Sequence, residues 1–72
     1  MEGYKERMKQ EYRELMDRAD KLDTMLENFH EGRLDFEPTC PIKLLEAQYA
    51  AMLTYACILE RRAEIEGVEL HG

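Results

Sequence analysis

Residues 44–65, LLEAQYAAMLTYACILERRAEI, carry two apolar seams side by side. One runs through Leu45, Tyr49, Met52, Ala56, Leu59 and Ala63. The other runs through Leu44, Gln48, Ala51, Tyr55, Ile58, Arg62 and Ile65. Both alternate steps of three and four, the period of a helix face. Two adjacent seams make a face wider than one partner helix covers. The first seam is assigned to burial within the chain, and the second to an oligomer interface. The uncharged centre of the stretch, Ala47–Leu59, is 13 residues long. A membrane crossing takes about 20 predominantly apolar residues, and this run also holds Gln48, Tyr49, Thr54 and Tyr55. It reads as a helix covered by protein, so no membrane partner is expected.

Working outward, the chain offers this helix one internal mate. Met8, Tyr12, Leu15, Ala19, Leu22, Leu26 and Phe29 are spaced 4, 3, 4, 3, 4, 3, a sustained heptad seam. The remaining positions are mostly charged, with Glu14–Arg18 and Asp17–Lys21 at the favourable i,i+4 spacing. Between the helices lies EGRLDFEPTCP, residues 31–41, where Pro38 and Pro41 forbid a continuous helix. Leu34 and Phe36 are expected to fold back over the hairpin end. Thr39 suits an N-cap, with Pro41 in the first helical turn, and Gly32 and Gly67 supply the stops. The fold class is all-α: one antiparallel two-helix hairpin over residues 1–72, assembling into a helical-bundle homo-oligomer. Its expected parts are helix 3–30, connector 31–40, helix 41–66 and a short tail 67–72, in which Val68 and Leu70 tuck back. Antiparallel registration sets Leu26 near Leu45, Leu15 near Cys57 and Met8 near Ala63. The leftover seam then predicts two-fold assembly with the second helix at the centre.

Composition agrees and narrows the function classes. The chain has 72 residues, 44% hydrophobic and 36% charged, enough apolar material for one core. A single core this small supplies only ~3–5 kcal/mol, another reason to expect assembly. Sixteen acidic residues against ten Lys and Arg give a net charge of −6, which excludes non-specific nucleic-acid binding of the kind that needs a basic face. A local basic pocket on an acidic body remains compatible with an anionic ligand. Cys40 and Cys57, about 25 Å apart if on one helix, are too distant to pair. No CxxC or paired Cys/His spacing is present, so no metal site is expected. Residues 1–14 are dense in charge and carry no apolar signal segment.

Candidate chemistry is sparse. The sequence has no Ser/His/Asp or Cys/His constellation, no phosphate loop and no HExxH, so no enzyme and no cofactor are expected. His30 and His71 read as surface residues, and Cys40 as a structural thiol. Two features suit an anion. The start of the second helix combines Thr39, free backbone N–H groups and Lys43, with Arg33 able to join. Arg61 and Arg62 form the one adjacent basic pair. Arg62 reads either as an interface ion pair with Glu11, Glu14 or a partner chain, or as a phosphate holder in an interface pocket where a tyrosine stacks on a base. Tyr4, Tyr12, Tyr49 and Tyr55 lie on apolar faces. Packing with the hydroxyl at an edge is their default role, with Tyr49 or Tyr55 as the stacking alternative.

The stretches EYRELMDRADKLDTML, LDFEPTCPIKLLEAQYAAM and YACILERRAEIEGVEL resemble a family of short two-helix hairpin proteins from tailed bacteriophages, crAss-like phages among them. The resemblance covers residues 4–70. Its most specific parts are Asp35–Pro41 and Arg62–Leu70. It carries no known catalytic or binding residue across. It implies a small protein acting in the host cytoplasm, in the company of inhibitors of host defence and of adaptors. Helical oligomers that sponge nucleotide immune signals, as in anti-CBASS and anti-Thoeris proteins, are similar in size and assembly.

Two readings follow. One is a non-enzymatic oligomer that sequesters a cyclic nucleotide or ADP-ribose-type signal through Thr39, Lys43, Tyr49, Tyr55, Arg61 and Arg62. The other is an interaction module that binds a host or phage protein and no small molecule.

Overall fold

In the computed structural model, which describes residues 3–71, the chain is an antiparallel hairpin of two helices, α1 (Gly3–His30) and α2 (Ile42–Glu66). All regular structure among the described residues is helical. The hairpin is a rod of 47 × 18 × 17 Å, close to the ~42 Å that 28 residues of α-helix span.

The core is the interlock of the two expected inner seams. Met8, Tyr12 and Leu15 from α1 pack with Ala56, Leu59 and Ala63 from α2. Leu59 is fully buried. Alanines at 56 and 63 leave room for the longer side chains of α1, so large faces small across the seam. Ala19 and Leu26 continue the buried stripe, while Leu45, Tyr49 and Met52 are half-buried. The register matches the pattern: the Tyr12 hydroxyl donates to Glu60 Oε2 at 2.6 Å. At the other end His30 Nε2 reaches one turn further along α2, to 2.8 Å from Glu46 Oε2. The outer face of α1 is charged, with Arg18–Glu14 at 3.8 Å and Lys21–Asp17 at 3.1 Å. Exposed pairs of this kind contribute little to stability.

Both helices stop on glycines in the left-handed conformation, φ 73° at Gly32 and 70° at Gly67, which costs a side-chain-bearing residue more than glycine. After Gly67 the Val68 N–H reaches back to the Ala63 carbonyl at 2.8 Å. That closes the last turn and drops Val68 into the core beside Leu59. Leu70 packs behind it, and His71 meets the Tyr12 ring edge-on with centroids 5.4 Å apart. Gly72, the last residue of the expected tail, lies outside the described residues.

The connector departs from expectation in two respects. Thr39 is not the N-cap. Pro41 holds that position, at φ −57° and ψ 140°, and no side chain caps the helix. The Pro41 carbonyl accepts from Leu44 and Leu45, so helical geometry begins at Ile42, one residue later than the spacing suggests. With Pro41 extended, Thr39 sits two residues upstream of the cap position, too far to serve the helix N–H groups. Thr39→Ala should therefore change stability by less than about 0.5 kcal/mol, as for other surface substitutions, rather than by the 0.5–2 kcal/mol of a lost cap. A urea titration reads the difference. Phe36 does not cover the hairpin end: it is exposed, and only Leu34 is half-buried.

Candidate functional site

The second seam of α2 faces outward along its whole length. Leu44 (58% exposed), Ile58 (50%) and Ile65 (86%) are open to solvent, and so are Gln48, Ala51, Tyr55 and Arg62. By length and composition α2 is apolar enough to cross a membrane, yet only 11% of its apolar window is buried in the hairpin. The 13-residue uncharged run understates this, because the helix stays apolar on average across Lys43 and Glu46.

Beside Gln48, the polar members of this face are Tyr55 and Arg62. They lie seven residues, two turns, apart on the same side. The Tyr55 hydroxyl donates to Glu11 Oε2 of α1. That bond raises the Tyr55 pKa, with desolvation and the Glu11 charge adding to it and the nearby Arg62 opposing it. Arg62 itself pairs with Glu66 one turn on, Nε to Oε2 at 3.7 Å, and Arg61 with Glu64 at 3.5 Å. Arg62 thus reaches neither Glu11 nor Glu14. Glu11 is taken by Tyr55, Glu14 by Gln10 and Arg18, and an acid four residues away costs less chain entropy to meet.

The other expected anion ligands lie elsewhere. Thr39 and Lys43 are exposed at the start of α2, and Lys43 has no ion-pair partner among the described residues. Arg33 does not join them; it bonds Glu31 and Asn28. Along the helix axis Lys43 and Arg61 are ~27 Å apart, so one copy cannot bring both to one small ligand. Tyr49 is on the inner side. Desolvation, with Asp23 and Asp20 beside it, raises its pKa, and those carboxylates disfavour an anion there.

Two clefts run along α1 beside Arg13 and Asp17, and two others lie at the ends of the hairpin. One, of about 260 Å³, lies under the tail against Glu60, Ala63, Val68 and His71. Another, of about 490 Å³, lies between Phe29 and the connector. Neither is lined by Tyr55 or Arg62. The profile of the Sequestin family matches residues 2–65.

The chain belongs to the Sequestin family.

The family name fits a sequestering role, and it suggests binding rather than catalysis. No curated protein and no solved structure matches the chain. The side chains are compatible with such a role for a Sequestin family member. His30 is exposed against Glu46, Cys40 and Cys57 are free, exposed thiols, and no group of three His, Cys, Asp or Glu among the described residues could hold a metal.

Pattern reasoning missed that Glu11 and Glu60 accept tyrosine hydroxyls; it reached Glu11 only as a candidate partner for Arg62. The signal was available in the register: the same alignment that sets Leu15 near Cys57 sets Tyr12 opposite Glu60. The bond to Glu60, with burial and the Glu60 charge, pushes the Tyr12 pKa up to about 12 from the ordinary 10. A folded-state pKa above the unfolded one gives stability that is whole below pH 10 and is lost as the pH rises through 12. The protein should therefore melt at progressively lower temperature between pH 10 and 12. Tyr12→Phe should flatten that limb while costing only about 0.5–1.5 kcal/mol at pH 7.

Proposed function

We propose that this protein sequesters a phosphate-bearing nucleotide signal between copies of itself, without turning it over. The observation that carries this is the exposed α2 face, apolar from Leu44 to Ile65 but carrying Arg62 two turns from Tyr55, in a chain of the Sequestin family. Arginine supplies planar, bidentate donors for phosphate. A tyrosine ring offers a stacking surface that any base can use. Tyr55 suits that role better than Tyr49, because Tyr49 sits among Asp20 and Asp23. Arg61, Lys43 and Thr39 would add positive charge and donors. In this reading the ligand is a cyclic nucleotide or an ADP-ribose-type immune signal, and the protein is a bacteriophage sponge that works in the host cytoplasm against defence signalling.

Titration calorimetry with cyclic di- and trinucleotides and ADP-ribose derivatives tests it at micromolar protein. Binding of one of them, lost on Arg62→Ala, is the expected result. Absence of heat with all of them removes the proposal. One observation favours a second reading, a module that docks on a host or phage protein: Arg61 and Arg62 already have carboxylates beside them. Affinity capture from infected cells would then yield a stoichiometric protein partner.

A further inference from the structure

We infer that two copies pair along α2 in antiparallel orientation, so that the Lys43 end of each copy meets the Arg61–Arg62 end of the other. The inference rests on the sequestering reading only for what those joined ends would hold.

Area argues for a partner first. The hairpin exposes 5518 Å², whereas a compact monomer of 8.5 kDa exposes about 4650 Å². The excess is roughly 850 Å², close to the ~800 Å² that each partner contributes to a standard interface. The excess has one apolar side. α1 presents mostly charge outward, with Tyr4 and Phe29 exposed singly at its two ends, while α2 presents Leu44, Tyr55, Ile58 and Ile65 along one face. Between the large residues lie Ala47, Ala50, Ala51 and Thr54, all exposed, which let two helices approach to the short end of the usual 8–10 Å.

Self-pairing also fits the layout of charge along α2. The uncharged run Ala47–Leu59 is centred on Leu53, so two copies that superpose their runs bury no charge at the centre. Of the two ways to do this, the parallel one stacks Tyr55 on Tyr55 and Ala51 on Ala51, an overfull layer beside an empty one. It also aligns the helix dipoles unfavourably. The antiparallel one sets Tyr55 against the partner's Ala51 and Ile58 against the partner's Gln48, large on small, with dipoles opposed. It also sets Arg62 opposite the partner's Leu44, one residue from the partner's Lys43. Groups ~27 Å apart in one copy become neighbours at each end of the pair. The dimer thus has two equivalent ends at which Lys43 of one copy joins Arg61 and Arg62 of the other, each incomplete without the other copy; the phosphate proposed above would sit there, taking the place of Glu64 and Glu66 beside the arginines.

The test uses full-length chains with Cys40→Ser and Cys57→Ser. Gln48→Cys and Ile58→Cys chains are mixed and oxidised. The mixture should give a mixed disulfide dimer, and neither chain alone should cross-link, because like positions lie ~15 Å apart in this register and a disulfide needs Cα atoms within about 7 Å. Cross-linking of each chain alone would mean parallel pairing and overturn the inference. No cross-link in the mixture would overturn it too. A second measurement needs no cysteine. Lys43→Glu, in an otherwise natural chain, should tighten the dimer about five- to tenfold in sedimentation equilibrium, since the new carboxylate meets the partner's Arg61 and Arg62 at both ends. Unchanged or weaker association overturns the arrangement. Flotation of the natural chain with phosphatidylcholine vesicles, in place of a soluble dimer, would assign the face to lipid and also overturn it. Nucleotide binding by a protein that fails these tests would leave sequestration standing and remove only this pairing.

Discussion

Leu59→Ala should leave most of the chain unfolded at 25 °C. Leu59 is fully buried, the one large side chain among the described residues with essentially no exposure. It sits among Met8, Tyr12, Leu15, Ala56, Ala63 and Val68. Truncation of a buried leucine to alanine costs about 2–5 kcal/mol, the higher end where the surroundings cannot collapse into the space. Collapse is limited here, because two of the neighbours are alanines with nothing further to extend. A hairpin of this size holds only ~3–5 kcal/mol in one core, so the loss is comparable to the whole. Circular dichroism at 222 nm should show a weak, non-cooperative melt in place of a sigmoidal one. A cooperative melt within a few degrees of the natural chain would mean that the two helices are held together by something other than this seam.

The seam was readable because it repeats. Seven α1 positions and six α2 positions keep the three-four step, and each step adds the same constraint, so the pattern survives a misread residue. That redundancy also set the register, which the Tyr12–Glu60 contact expresses. Features decided by a single residue were less legible. Thr39 has the chemistry of a cap, but Pro41 takes the position and no side chain completes it. The distinction turns on one residue of extended backbone, which composition does not encode. Arg62 lies on the outer seam, where an unpaired charge is costly, and the pattern therefore points to Glu11, Glu14 or a partner chain as its counter-charge. The long guanidinium arm instead bends along the helix to Glu66, and the tyrosine hydroxyl reaches Glu11. Side chains with four rotatable bonds are poorly located by periodicity, which fixes only where Cβ points. The candidate ligand residues are harder still, since Lys43 and Arg61 lie too far apart in one chain to act together.

Ile58→Asp should give the opposite phenotype from its neighbour in sequence. Ile58 follows Leu59 around the helix by −100°, which carries it from the buried seam to the open one; it is 50% exposed where Leu59 is 0%. In a single hairpin the new carboxylate is solvated and breaks no intramolecular contact of the core. In an assembly built on the α2 face it is buried without a counter-charge, once per copy. Leaving one buried charge unpaired typically costs 3–5 kcal/mol, so even one of the two predicts association weakened by more than a hundredfold. Sedimentation equilibrium should therefore report monomer at concentrations where the natural chain is associated. Tyr55→Glu should act in the same direction, with an added clash against Glu11, its present partner. Helicity of the Ile58→Asp monomer separates two kinds of hairpin. Retained helicity at high concentration means the inner seam suffices for folding and the outer seam serves assembly. Coupled loss of helicity and association would make folding and pairing one event, in which case the stability of the natural chain must rise with its concentration. An unchanged sedimentation profile would free the outer seam of any self-association, and with it the interface pocket that the sequestering proposal requires.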